Sequence, residues 1–264
     1  MSKKAILLDS VTDASRCDSI VITGSHGGLY PAAVASNWQM RAVVFNDAGM
    51  GLENAGVAGV MALENIGMAV AASDSQSCCI GSAADTLKRG LIKIANSIAL
   101  DLGVSPGMPV ADALTHLMNA PKPSGKLPMI DEARKQTTLP GLDSPIWLLD
   151  SASLICPEDE GEIVITGSHG GLVGGDPLRA LKTRARIAVF NDAGVGIDQA
   201  GITRLPILNE TGVAAVTVDC QTARIGDAES ALETGLISHA NKVAENIGAR
   251  KNANLKSWLK TFQV

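Results

Sequence analysis

The segment Ile-Val-Ile-Thr-Gly-Ser-His-Gly-Gly-Leu occurs twice, at residues 20–29 and again at 163–172, and this echo constrains the chain more than any other feature. In each copy a β-branched run enters a polar loop rich in glycine. That is the pattern of a buried strand whose carboxyl end carries a backbone-permissive turn. The correspondence extends outward. Residues 7–10 match 148–151, and the apolar runs 42–45 and 187–190 both lead into Asn-Asp-Ala-Gly. A third pair of apolar runs, 68–72 and 213–218, ends at Asp74-Ser75-Gln76 and Asp219-Cys220-Gln221. The chain therefore reads as a tandem duplication, with repeats over 1–105 and 146–264 joined by a proline-rich linker over 106–145.

Between the strands, Pro31 and Asp176-Pro177 mark helix starts, because proline suits the first helical position and aspartate caps free amides. Helices are expected over 31–38 and 177–183. Long ones are expected over 82–102 and 227–247, with Asp227 as N-cap and Gly103 and Gly248 at the carboxyl ends. A short helix is expected over 110–118 in the linker, followed by a strap over 121–128. Leu255, Trp258, Leu259 and Phe262 fall at helical spacing and predict a last amphipathic helix that docks on a partner. Strands alternating with helices call for small doubly wound, Rossmann-like parallel-sheet units of the α/β class. Two units with the same outer faces should pair as a homodimer does, giving an intramolecular pseudo-dimer about a pseudo-twofold axis.

A net charge of −5 offers no basic stripe, which argues against nucleic acid and anionic membrane surfaces as partners. The amino terminus carries no apolar run long enough for a signal peptide or a span, so a cytoplasmic protein is expected. Homo-oligomerisation stays open. The five cysteines, Cys17, Cys78, Cys79, Cys156 and Cys220, are odd in number and lack metal-type spacing, which points to reduced thiols.

In an open parallel sheet, ligands bind beyond the carboxyl ends of the strands. Here those ends carry Ser25-His26, Asn46-Asp47 and Asp74 in one half, and Ser168-His169, Asn191-Asp192 and Asp219-Cys220-Gln221 in the other. These polar residues are shared while many core and surface positions differ between the copies, which marks this edge as functional. The amides around Gly27, Gly28, Gly170 and Gly171 are expected to form an anion-binding concavity. Neither the dinucleotide fingerprint nor the P-loop spacing is present, and no cofactor is expected.

The halves differ where Ser75 faces Cys220 and Cys79 faces Arg224. A thiol at a strand end beside a histidine suggests a small-molecule hydrolase of an amide or related acyl bond. In that scheme Cys220 attacks, His169 shuttles the proton, and Asp192 or Asp219 orients the imidazole. The loop amides of residues 168–171 stabilise the oxyanion. Arg224 holds a substrate carboxylate, with Asn191 and Gln221 as further contacts, and the first-half loop completes the pocket. The residues flanking Cys220 lack the local signatures of caspases and papain-like proteases. Two alternatives stand beside this one. A metal-dependent hydrolase would use His169, Asp192 and Asp219, or His26, Asp47 and Asp74. A non-enzymatic protein would clamp one anionic metabolite between the two Gly-Ser-His-Gly-Gly loops.

Overall fold

The computed structural model describes residues 5–142 and 144–261. The first half contains β1 (Ala5–Leu8), β2 (Ile20–His26), α1 (Leu29–Asn37), β3 (Ala42–Asn46), α2 (Ala58–Ala62), β4 (Ala69–Ser73), α3 (Ala83–Arg89), β5 (Ile92–Ala95) and α4 (Ser97–Asp101). Then come α5 (Val110–Leu117) and β6 (Arg134–Thr137). The second half follows with β7 (Ile146–Leu149), β8 (Ile163–His169), β9 (Ile187–Asn191), α6 (Arg204–Glu210), β10 (Ala214–Val218), α7 (Ala228–Thr234), β11 (Ile237–Ala240), α8 (Lys242–Asn246) and α9 (Leu255–Thr261).

These strands form two mixed sheets, ordered β1-β2-β3-β4-β5 and β11-β10-β9-β8-β7-β6. β1 to β4 are parallel and β5 is antiparallel to β4; β7 to β10 are parallel, with β6 and β11 antiparallel at the two edges. Both faces of each sheet are covered, which is why the strands read as unbroken apolar runs. In the first sheet Val21, Val43, Phe45 and Val70 pack toward α1 and α2, while Ile20, Ile22, Val44 and Ala69 pack toward α4 and α5. The strand order runs in sequence without reversing. Among the described residues no strand-order switch therefore opens a ligand crevice of the doubly wound kind.

Three expected helices are corrected. The stretch 82–102 is α3, β5 and α4, and 227–247 is α7, β11 and α8, because the chain becomes extended at Gly90 (φ −61°, ψ 138°) and Gly235 (φ −61°, ψ 129°). A Cβ at Gly90 would run into the Thr86 carbonyl, so only glycine lets the chain turn out of the helix there. Instead of a helix over 177–183 there is a single 3-10 turn, Pro177–Arg179, capped by the Asp176 side chain. The last helix, α9, docks on its own half: Leu255, Trp258 and Leu259 are buried in one cluster with Ile163, Val189 and Val216. Phe262 lies outside the described residues.

The linker is not inert. Ser124 N–H donates to the Ile66 carbonyl (2.8 Å) and Leu127 N–H to Ser36 Oγ (2.7 Å), strapping residues 121–128 over the first half. β6, unforeseen, then joins the second sheet beside β7.

Candidate functional site

A cavity of about 600 Å³ opens between the halves, a volume typical of small-molecule sites. His26 and His169 both line it, with Ser25, Ser168, Tyr30, Arg204 and Arg224. β2 and β8 deliver the histidines through the same local device. The register of each against its neighbour breaks between Ile22 and His26 and between Ile165 and His169, and such irregularities re-aim a strand-end side chain. Gly24 and Gly167 sit within these breaks, pressed against the main chain at Gly81 and Gly226, where a Cβ would clash. The adjacent serines are oriented too. Val11 N–H donates to Ser25 Oγ and Ala152 N–H to Ser168 Oγ, each at 2.9 Å, which leaves both hydroxyl protons free to donate.

The two imidazoles are locked in one tautomer. Gly28 N–H donates to His26 Nδ1 and Gly171 N–H to His169 Nδ1, both at 3.2 Å. An amide can only donate, so each Nδ1 holds a lone pair and each Nε2 carries the proton. Burial pushes His26 down from 6.5 to about 4. It pushes His169 down to about 3, with help from the neighbouring positive Arg204 and from His26. At neutral pH both rings are uncharged Nε2–H donors.

The loop amides do something other than expected. Gly27 N–H donates to the Asn46 carbonyl (3.0 Å) and Gly170 N–H to the Asn191 carbonyl (2.8 Å), while those of Gly28 and Gly171 hold the imidazoles. The expected oxyanion cradle at Gly27, Gly28, Gly170 and Gly171 is thus already filled by protein acceptors. Its donor capacity is passed on to the histidine Nε2 atoms.

Arg224 lines the cavity as expected but is not free to hold a carboxylate. Its guanidinium already pairs with Glu53 (3.1 Å) and Asp227 (3.0 Å). Sequence reasoning missed Arg204, which is 5% exposed and donates through Nε and Nη1 to the carbonyls of Gly171, Arg179 and Ala180. It also missed Tyr30 and Glu132, which both line the cavity; burial and the neighbouring Glu132 carboxylate raise Tyr30 to about 12. A signal for Arg204 was present in the laid-out repeats, where it falls opposite Gly59.

The other expected catalytic residues lie at a seam where the halves cross. Gly49 and Gly194 meet there so closely that a Cβ on Gly49 would stand 2.7 Å from the Gly194 Cα. Leu52 N–H donates to the Cys220 carbonyl (2.7 Å), and Ile197 N–H to the Ser75 carbonyl (2.9 Å). Gln221 Nε2 donates to the Gly49 carbonyl and Gln76 Nε2 to the Gly194 carbonyl. Asp192 Oδ1 accepts from Gly194 and Cys220, as Asp47 Oδ1 does from Gly49 and Ser75. Asp219 and Asp74 accept from the amides of Gln221 and Gln76, and Asn191 and Asn46 accept from Ala193 and Ala48. The retained Asn-Asp and Asp-x-Gln pairs thus build loops.

At this seam the Cys220 thiol is pushed up to about 12 by burial and by Asp192 and Asp219. That is the reverse of an activated nucleophile. Cys220 is not among the described residues that line the cavity of His169, so the expected Cys-His centre is not assembled there. Asp192, Asp219 and Cys220 do bring ligand atoms within 4.8 Å of one another. The expected His-Asp-Asp triad is not what gathers, since His169 faces the cavity.

Comparison of the chain with protein-family models, with curated proteins and with solved structures finds no match in any of the three.

Proposed function

We propose that the chain is a tandem duplication whose halves form a pseudo-twofold pair, and that the cavity between them binds one small anionic metabolite. The carrying observation is the pair His26 and His169, each fixed by a loop-glycine amide so that an uncharged Nε2–H is left for a ligand in one shared cavity. The reciprocal seam bonds, Gln76 to Gly194 and Gln221 to Gly49, support the pseudo-twofold relation, since an isologous contact repeats each bond with the partners exchanged. The linker supplies a third wall through Ile130, Asp131 and Glu132.

Amide hydrolysis through Cys220 has less to support it, because the thiol stays protonated at neutral pH and lies at the seam rather than beside His169. A thermal-shift screen of small anions against the wild type and the His26→Gln, His169→Gln pair tests the binding role. Ligands should raise the melting temperature of the wild type and fail to do so for the pair. Equal stabilisation of both proteins would place binding elsewhere.

A further inference from the structure

We propose that the cavity's ligand is a monocarboxylate with an apolar body, its carboxylate seated at Arg204 and the two imidazole Nε2–H groups and its body lying along Leu29, Ile130 and Leu178. This rests on the cavity being the binding site and adds the class and orientation of what enters it.

The charge pattern selects a single anionic group. Arg204 is buried at the cavity and gives Nε and Nη1 to main-chain carbonyls; among the described residues no carboxylate pairs with it. A buried charge without a counter-charge is costly, and an entering anion relieves that cost. The remaining bases carry no comparable deficit. Arg224 is held by Glu53 and Asp227 and Arg179 by Asp13, while Lys182 is exposed and gives its ammonium to the Ser153 carbonyl. The Phe190 ring, 5.1 Å from the Arg204 guanidinium, and three carbonyls support the charge without neutralising it, so one guanidinium beside two uncharged imidazoles matches one negative charge. A phosphate dianion would bring two. Asp131, Glu132 and Asp150 also line the cavity, and among the described residues no salt bridge pairs them with its bases, so they would repel a second carboxylate.

The orientation follows from the difference between the halves. Opposite Arg204 stands Gly59, where a Cβ would run into Ala32 of α1, so no side chain fits at the matching position. The anionic end therefore faces the second half. Around the mouth, Leu178 (89%), Leu29 (50%) and Ile130 (40%) expose large apolar side chains. Such a cluster rimming a cavity marks a surface that a ligand covers.

The experiment titrates the whole protein with octanoate and 3-phenylpropanoate, with the matching primary amides, and with inorganic phosphate, following calorimetry and the thermal shift. Both carboxylates should bind about tenfold or more tightly than their amides, the difference expected for hydrogen bonds to a charged group. Arg204→Met should erase that ratio. Because Arg204 also ties three carbonyls, the wild-type carboxylate-to-amide ratio decides the matter even if the variant fails to fold. Amides binding as well as carboxylates would overturn the proposal while leaving a small-molecule cavity in place, and so would phosphate binding in preference to both. Binding of none of these probes would overturn it too. The cavity itself would then be judged by the screen of other anions.

Discussion

Arg204 stands in the second half where Gly59 stands in the first: their backbone N–H groups donate to the carbonyls of Gly170 and Gly27, each at 2.8 Å. One position thus carries a side chain that fills a gap in one half and no side chain in the other. The reason is local packing. α1 covers the first-half position, whereas residues 172–185 run irregularly through two 3-10 turns and leave room for a guanidinium to gather the loose carbonyls. At this position the cavity therefore carries a guanidinium on the side of the second half only.

The histidines tie stability to pH. His26 and His169 titrate near 4 and 3 in the folded chain against 6.5 when unperturbed, so the unfolded chain takes up protons first as pH falls. Their contribution is complete above about 6.5 and is lost progressively as pH drops toward 3. The urea midpoint should therefore fall between neutral pH and about 4.5, and fall less steeply in the His26→Gln, His169→Gln variant. Parallel profiles for the two proteins would show that the rings titrate normally.

The thiols should react in an order set by burial. Cys17, Cys79 and Cys156 are partly exposed, whereas Cys78 and Cys220 are buried, and the Cys220 thiol is held at about 12. Iodoacetamide at neutral pH should alkylate the first three before either of the others, as read by peptide mass mapping. Early labelling of Cys220 would return it to the role of nucleophile.

The seam is expected to be the least forgiving backbone in the molecule. Ala48, Gly49, Met50 and Gly51 all lie at positive φ, as do Ala193, Gly194, Val195 and Gly196, a conformation that β-branched Val195 adopts only under constraint. Gly49→Ala would also bring its Cβ to 2.7 Å from the Gly194 Cα. Gly107 has a positive φ but open space around it. Its alanine variant should lose about 1–2 kcal/mol by denaturant unfolding, the cost of the left-handed backbone alone. Gly49→Ala should lose clearly more, and equal losses would mean that the crossing is loose.

The last helix belongs to the core. Trp258 is buried beside Leu255 and Leu259, and its indole N–H donates to the Ile247 carbonyl. Trp258→Ala should cost about 3–5 kcal/mol of unfolding free energy without changing the mass measured by light scattering. A change of oligomeric state at unchanged stability would point to docking on another chain.

The inner strands were legible because each is a short β-branched or apolar run ended by glycine or Asn-Asp, and α1 because Pro31 and its flanks announce it. β5 and β11 were not. Ile92 and Ile237 follow segments of good helical periodicity, and only the steric demand at Gly90 and Gly235 separates helix from strand. β6 was hidden because an edge strand such as Arg134-Lys135-Gln136-Thr137 carries no apolar alternation. At the site, the histidines and serines were readable from the repeat. What repetition could not distinguish was a polar strand end that faces a ligand from one that builds a turn, and this is why Asp192 and Cys220 were grouped with His169.

The most direct test of a two-histidine cavity is the ¹⁵N spectrum of histidine-labelled protein at neutral pH. His26 and His169 should each show a protonated Nε2 and an unprotonated Nδ1, and a single bound anion should shift both Nε2 signals together with one affinity. Protonated Nδ1 atoms, or a ligand that moves one ring and leaves the other unchanged, would contradict it.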